Sequence, residues 1–361
     1  MRKWRLAIGA LALAFGLSSC SWIQDTLGLT AVTAGYYQSA NGHYVACYWT
    51  DSVRTDLVDP VSDSAKATGV AVLNGSVYVC GNMLTSGNVA TYWKDGTQNT
   101  LPGGTTSSAS AIAVHGTSVY VSGNYWDGND HYGYWKDATF TELLFPAVPS
   151  GNSWGAKWIS GISVDSSGTA YCTGAATNDA GVTYAYYWNG STAVPLPVGA
   201  TQSLDAGNGI TAVYVNGIFV KSGNVYVAGA WVKAGVAQAC YWSNGAVTNL
   251  LGADTGKDSF GNGIYVDGST VYTVGTVNND GTNDAACYWS GSTRTTLPLS
   301  TSGLRSWGNA IVATWGTVYT AGDYNNNGST FGGSYWNGTT RNDVSIPSTA
   351  LGVSVAAIAM K

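Results

Sequence analysis

The sequence predicts an all-β fold: a seven-bladed β-propeller of four-stranded antiparallel blades, closed by the C-terminal strand joining the first blade. Three observations predict it. A Gly recurs at Gly35, Gly81, Gly123, Gly174, Gly229, Gly275 and Gly322, and 11 to 13 residues after each comes a Tyr-Trp pair, ending at Trp49, Trp93, Trp135, Trp188, Trp242, Trp289 and Trp336. Self-similarity with a period of about 45 residues is the signature of propeller blades or of an array of units. No helix-period segment longer than two turns stands out after residue 30. The third observation is the phase of the repeat, given with the strands below.

The chain opens with Arg2, Lys3 and Arg5, followed by the uncharged apolar run Leu6 to Leu17 and then Ser18-Ser19-Cys20. A basic start, a short apolar core and small residues before a cut describe a secretory signal. The run is too short to cross a bilayer, which takes about 20 residues. Leu17-Ser18-Ser19-Cys20 resembles the bacterial lipobox, and that resemblance implies cleavage before Cys20 and acylation of Cys20. The domain plan is then a lipoprotein signal peptide over 1–19, a lipidated tether over 20–30 and the propeller over 31–361. Two or more acyl chains give stable membrane attachment. By resemblance to enterobacterial sorting, Ser21 after the Cys points to the outer membrane, with the protein facing the periplasm or the surface of the cell envelope.

Each repeat reads as four strands. Strand a is small and apolar, as in Val70-Ala71-Val72, Ile112-Ala113-Val114 and Ile264-Tyr265-Val266. A tight turn follows, such as Asn74-Gly75 or Asp267-Gly268. Strand b alternates Val and Tyr, as in Val77-Tyr78-Val79 and Val225-Tyr226-Val227, which puts the two residue types on opposite sides. Strand c ends in the Tyr-Trp pair. A second turn, such as Asp95-Gly96, Asn189-Gly190 or Asn244-Gly245, leads to strand d, which carries a Leu. Asn-Gly and Asp-Gly favour type I′ hairpins, whose two central residues need positive φ. The Gly ending strand b allows a neighbouring backbone or ring to come close. The repeated Trp covers the face of an adjoining blade.

The phase distinguishes a ring from an open array. Ala31 to Gly35 is already strand b, with no strand a before it, and after the last strand d one more strand a appears at Val355 to Met360. An open solenoid needs polar caps, whereas this final segment is apolar; pairing it with the first strand removes a free edge. One unit is irregular: Ile210 to Gly229 spans 19 positions, and Val213 to Val220 reads as a longer a–b hairpin.

Composition excludes several classes. Without the signal the chain has 12 basic and 20 acidic residues, a net charge near −8, and no basic patch, which argues against nucleic acid. Five cysteines remain after Cys20: Cys47, Cys80, Cys172, Cys240 and Cys287. An odd number cannot pair fully; they read as small buried hydrophobes, with a Cys47–Cys80 bridge as the alternative pairing. There is no Cys-x-x-Cys and only three His, so neither a metal nor a cofactor is expected. The ring is expected to be a monomer.

Blades with a Gly, a Tyr-Trp pair, then Asn-Gly and Leu resemble kelch-type and related bacterial extracellular propeller repeats. The resemblance spans residues 31 to 361 and implies a propeller of a lipoprotein. Kelch repeats carry a Gly-Gly doublet where this chain has a single Gly. Such propellers host many functions.

Candidate sites follow from propeller geometry, in which the d–a and b–c connections crowd one face around the channel. The d–a segments hold Trp154, Trp158, Arg305 and Trp307, and Asn208, Asn262 and Asn309 occupy one repeated position before strand a. A polar ring beside Trp and Arg suits a sugar or peptide; the same Asn residues also tie down loop backbone. Gly151-Asn152-Ser153-Trp154-Gly155 fits Gly-x-Ser-x-Gly, a nucleophile only on a strand-to-helix elbow, which is not expected here. Asn278 to Asp284 is the nearest stretch to a calcium loop and a poor one. Glycoside hydrolysis needs two placed carboxylates, and the chain has one Glu, Glu142, with Asp scattered over turns. The expected function is a non-catalytic module, anchored to the membrane, that binds or scaffolds a protein or glycan. A carbohydrate-active enzyme (hydrolase or lyase) with its site at the channel is the alternative.

Overall fold

The computed structural model describes residues 29–84, 87–148, 153–198, 209–250, 256–278, 283–299, 305–325 and 331–361. Cys20, Asn208 and Asp205 lie outside them. Every regular element among the described residues is a strand, and none is a helix. The strands form six sheets: five of four strands and one of eight. The larger sheet is two four-stranded antiparallel units bridged by a single parallel pair, Thr183 with Ala212. Each unit runs a-b-c-d as the repeat predicts. The sheet containing the first b strand, Ala31–Gln38, takes its a strand from the other end of the chain, Gly352–Met360. The two pair from Ala31 with Met360 to Gln38 with Gly352.

The turn residues divide into two groups by register. In Asn74-Gly75, Asp95-Gly96 and Asn244-Gly245 both residues have positive φ, as a type I′ hairpin requires. At Asn189-Gly190, Asp267-Gly268 and Asn337-Gly338 only the Gly does. There the closing pair of the ladder includes the Asn or Asp itself, as in Asn189 with Thr192 and Asn337 with Thr340. Gly then occupies the first central position, the place a type II′ turn reserves for it.

The repeated Gly of strand b has one cause in all seven copies. A Cβ on it would fall 1.8–2.3 Å from a main-chain carbonyl oxygen of the neighbouring a strand: Ser354, Lys66, Ser108, Trp158, Tyr214, Phe260 or Trp307. The a strand bulges two residues after that carbonyl in every copy. The pairing skips Thr68, Ser110, Ser160, Asn216, Asn262, Asn309 and Ala356, and a bulge of one residue bends its strand and raises the local twist.

The irregular unit departs from its predicted form. Ile210–Lys221 is one long a strand, and its hairpin turn lies at Ser222-Gly223, not at Asn216-Gly217. Asn216-Gly217 is the bulge, and Asn216 holds the repeated position assigned above to Asn208. The segment contains Asn-Gly-Ile twice, at 208–210 and 216–218; the second sets the register because Ile218 pairs with Val227.

The core lies between units. All seven repeated Trp are fully buried, and each packs into a cluster with residues of the preceding unit: Trp242 with Leu196, for example, and Trp336 with Leu297. Five indoles also donate Nε1–H to the carbonyl that follows the preceding unit's d-strand Leu or its Val equivalent. The acceptors are Pro102 for Trp135 (2.6 Å), Leu144 for Trp188 (3.1 Å), Pro197 for Trp242 (2.7 Å), Pro298 for Trp336 (3.2 Å) and Ser345 for Trp49 (2.7 Å). In those five units a Phe would fill much of the space but leave that carbonyl unpaired; among the described residues the indole N–H of Trp93 and of Trp289 meets no acceptor. Cys47, Cys80, Cys172, Cys240 and Cys287 are buried and free, so the alternative Cys47–Cys80 bridge is not made.

Candidate functional site

The a strands present equivalent positions to a common space. One cavity of about 240 Å³ is lined by the bulge residues Thr68, Ser110, Ser160, Asn216, Asn262, Asn309 and Ala356 and by the residues that follow them. Those next residues are Gly or Ala in every strand (Gly69, Ala111, Gly161, Gly217, Gly263, Ala310, Ala357), which fits their crowding: a Cβ on Gly217 would meet the Asn262 carbonyl at 3.0 Å. One residue further, Val70, Ile112, Ile162, Ile218, Ile264, Ile311 and Ile358 form an aliphatic collar, each only 6–9% exposed. A second cavity of about 440 Å³ begins at that collar and continues past Val72, Val114, Phe219, Tyr265 and Met360. The bulge side chains at the first cavity are polar except Ala356, and the side chains added at the second are mostly apolar.

The amides of the polar ring are engaged in joining strands. Asn216 Nδ2 donates to Gly261 O (3.1 Å) and to Asn262 Oδ1 (3.1 Å), Asn262 Nδ2 to Gly308 O (2.8 Å), and Asn309 Nδ2 to Val355 O (2.9 Å). Thr68 Oγ1 makes the same reach to Ala109 O (3.1 Å). In each case the main-chain acceptor precedes the next strand's bulge residue. The ring that suggests a ligand site is built first as a set of clasps between adjacent a strands.

The structure separates the other sequence-predicted residues from that ring. None of Trp154, Trp158, Arg305 and Trp307 lines either cavity. Trp154 donates Nε1–H to Pro146 O (2.7 Å) and meets Tyr184 edge-on at 5.6 Å. Trp158 packs against the cluster built by Val213, Val215 and Trp242. Arg305 is exposed at the start of its strand. Trp307 donates to Asp284 Oδ2 (3.1 Å) and faces Phe331 at 5.9 Å.

The described linings of the two cavities include no Asp, Glu or His. Glu142 Oε1 lies 3.4 Å from His131 Nδ1, whose Nε2 faces Asp127 (3.2 Å) while its ring stacks on Tyr125. No group of three or more His, Cys, Asp or Glu among the described residues could hold a metal ion. The Gly-x-Ser-x-Gly stretch leads into the strand Trp154–Val164, so Ser153 sits on no strand-to-helix elbow. Buried thiols are pushed up by desolvation, Cys80 to about 12, which makes them inert.

One carboxylate missed by the sequence reading stands beside the ring. Asp323 follows Gly322 on strand b and accepts from Val355 N (2.6 Å), Ser354 Oγ (3.0 Å) and Asn309 Nδ2 (3.1 Å). Burial pushes its carboxyl up to about 6, against the downward pull of those three donors. The corresponding position after Gly81 is Asn82, which exchanges two hydrogen bonds with Ala109. The position after each repeated Gly was the available signal: it reads Tyr36, Asn82, Asn124, Ala175, Ala230, Thr276, Asp323, with one acid in the series.

No protein-family model matches the chain, and no curated protein matches it in sequence. Solved structures do match in shape. A puromycin-hydrolyzing peptidase of Mycobacterium tuberculosis aligns with TM-score 0.56 and 10% identity over 86% of this chain and 51% of its own. A post-proline cleaving enzyme from Rickettsia typhi aligns with TM-score 0.51 and 8% identity over 87% of this chain and 52% of its own. TolB from Acinetobacter baumannii aligns with TM-score 0.46 and 11% identity over 93% of this chain and 69% of its own. The chain spans about half the length of the two peptidases. At these identities the likeness concerns fold alone, and that to the two longer enzymes supports a β-propeller-like all-β architecture.

Proposed function

We propose that this chain is a closed seven-bladed propeller, carried on a lipid anchor at Cys20, that serves as a non-catalytic binding or scaffold module for a protein or glycan. Closure is supported by the sameness of the junctions. The Trp49 bond to Ser345 joins the first unit to the last as the Trp242 bond to Pro197 joins units in the middle of the chain, and the Asn309 bond to Val355 ties the closing strand to the last a strand as Asn262 ties its own neighbour. The single blade built from both termini then completes the ring.

The observation that carries the binding role is an asymmetry between the two ends of the units. The a–b and c–d turns lie at one end, the d–a and b–c connections at the other. Among the described residues, most large exposed apolar side chains sit toward the second end: Val61, Trp126, Leu144, Tyr214, Phe260, Phe331 and Leu351. Only Val53 and Trp315 lie at the first. Exposed apolar groups concentrated on one face mark an interaction surface. Thr30 and Lys361 bond each other at the opposite end, so the first described strand starts at the end away from the apolar face.

Two measurements test this reading. Palmitate labelling is expected in wild type and absent in Cys20→Ser; equal labelling would remove the anchor. On glycan and protein arrays, binding by wild type is expected to fall at least tenfold in the Trp307→Ala, Phe331→Ala double variant. Unchanged binding would move the site off this face, and hydrolysis of an arrayed glycan would favour the enzyme reading.

A further inference from the structure

One position of the a strand divides the units into two groups. It is the residue two before the bulge, whose carbonyl faces the repeated Gly of strand b. Lys66, Ser108 and Ser354 hold it in three strands, and Trp158, Tyr214, Phe260 and Trp307 in the other four. Three strands thus meet the same steric demand with a polar side chain, so packing does not require an aromatic ring there. The four aromatic strands follow one another and adjoin. Trp158 packs on the cluster that includes Val213 and Val215, from the strand that carries Tyr214. Asn216 of that strand bonds the carbonyl of Gly261, next to Phe260, and Asn262 bonds the carbonyl of Gly308, next to Trp307. The four positions therefore form an arc on the side of the d–a connections, and none of them lines either cavity.

Tyr214 and Phe260 are exposed, and Trp158 and Trp307 are half-buried. The cross-strand partners of the two exposed rings, Ala230 and Thr276, are small and buried, so neither ring is covered by its partner on strand b. Each exposed ring also stands singly on its strand: Val213 and Val215 beside Tyr214, and Ser259 and Gly261 beside Phe260, are buried. A protein partner asks for a continuous apolar core, which single rings do not supply. Charge is balanced around the last two rings. Lys257 and Arg305 stand against Asp258 and Asp284, and Asp284 accepts the Trp307 indole N–H. We propose that Trp158, Tyr214, Phe260 and Trp307 are stacking platforms for a neutral glycan chain, several of whose sugars lie on successive rings. The proposal rests on the binding-face reading above and gives that face its ligand class.

The chemistry of a pyranose matches these rings. One of its faces presents C–H groups of partial positive charge, and an aromatic face carries the negative part of the ring quadrupole. Its hydroxyls stay at the rim, where water meets them, so stacking needs neither a continuous apolar surface nor a charged partner. The platforms are fixed because each belongs to a strand laddered to strand b. Aromatic side chains with two rotatable bonds also lose little conformational freedom on binding. A chain that reaches several platforms gains from each in turn, so affinity grows with chain length.

Calorimetric titration of the purified protein tests the arc. The probes are cellohexaose, laminarihexaose, maltohexaose and xylohexaose, their disaccharides, hexagalacturonate and a decaproline peptide. At least one neutral hexasaccharide is expected to bind, at least tenfold more tightly than its disaccharide. Tyr214→Ala and Phe260→Ala should each weaken that binding on the order of fivefold. Phe260→Tyr should retain it, and Trp315→Ala, at the opposite end, should leave it unchanged. Binding of none of the neutral hexasaccharides, equal affinity for hexasaccharide and disaccharide, tighter binding of hexagalacturonate, or full binding by a Tyr214→Ala, Phe260→Ala double variant would each overturn the arc. If decaproline bound in place of the sugars and Phe260→Ala abolished it, the binding face would stand and the glycan would fall. If neither these probes nor any arrayed protein or glycan bound, both readings would fall together.

Discussion

Gly229 offers the sharpest test of the repeat's physics. A Cβ on Gly229 would lie 2.0 Å from the Tyr214 carbonyl oxygen, 3.0 Å from Trp242 Cζ3 and 3.1 Å from the Tyr214 carbonyl carbon. Two of these are backbone atoms in a paired strand, so no rotamer change relieves the contact. Strands Ile210–Lys221 and Asn224–Lys233 would have to part by about 1 Å, and overpacking of that kind costs about 1–3 kcal/mol. Each ladder hydrogen bond weakened adds about 1 kcal/mol, giving about 3–5 kcal/mol for Gly229→Ala. Gly245→Ala is the control. Gly245 has φ 85 and nothing within 4 Å of its virtual Cβ, so only the backbone term remains, about 1 kcal/mol. Urea unfolding followed by Trp fluorescence measures both. If Gly229→Ala were no worse than Gly245→Ala, the account of why the repeat keeps a Gly would be wrong.

Two further outcomes are expected. Trp49→Phe and Trp242→Phe each remove one indole bond to a preceding carbonyl, at 2.7 Å in both cases, so each should cost about 1–2 kcal/mol; a loss in Trp242→Phe with none in Trp49→Phe would show that the end-to-end junction is not like the others. The five buried cysteines should resist a thiol reagent such as DTNB in the native protein and react together on denaturation, because burial both shields them and, for Cys47, Cys80, Cys172 and Cys240, raises the thiol; a thiol that reacts rapidly without unfolding would contradict their burial or expose an unacylated Cys20.

Much of the fold was legible because the same local requirement recurs. A single Gly before a bulge, a Trp before a turn and a Leu after one each answer a steric demand that every unit repeats, so the pattern survives in the sequence. Legibility failed at Ile210–Lys221, where two Asn-Gly-Ile triplets compete and local turn chemistry favours reading Asn216-Gly217 as a hairpin. Pairing with strand b decided the register, and pairing is not local. The same limit explains Asp323: one acid in a turn-rich chain carries no signal until the strand Gly352–Met360 is laid beside it.

The candidate site was harder to read for a chemical reason. Asn at a repeated position before strand a has the composition of a ligand ring, and the sequence reading offered both a binding role and a backbone role for it. Asn216, Asn262 and Asn309 direct their amides at carbonyls of the next strand, groups that a bulge has released from the sheet ladder and that would cost about 1–3 kcal/mol if buried unpaired. Each of these carboxamides spends at least one N–H on such a carbonyl, which fixes its side chain across the strand pair. Selectivity is therefore expected from groups that complete no junction, and Phe331 and Phe260, at 46% and 36% exposure on the face of the d–a and b–c connections, are of that kind. If alanine at Asn262 abolished ligand binding without loosening the adjoining strands, this separation of clasp from binding surface would fail.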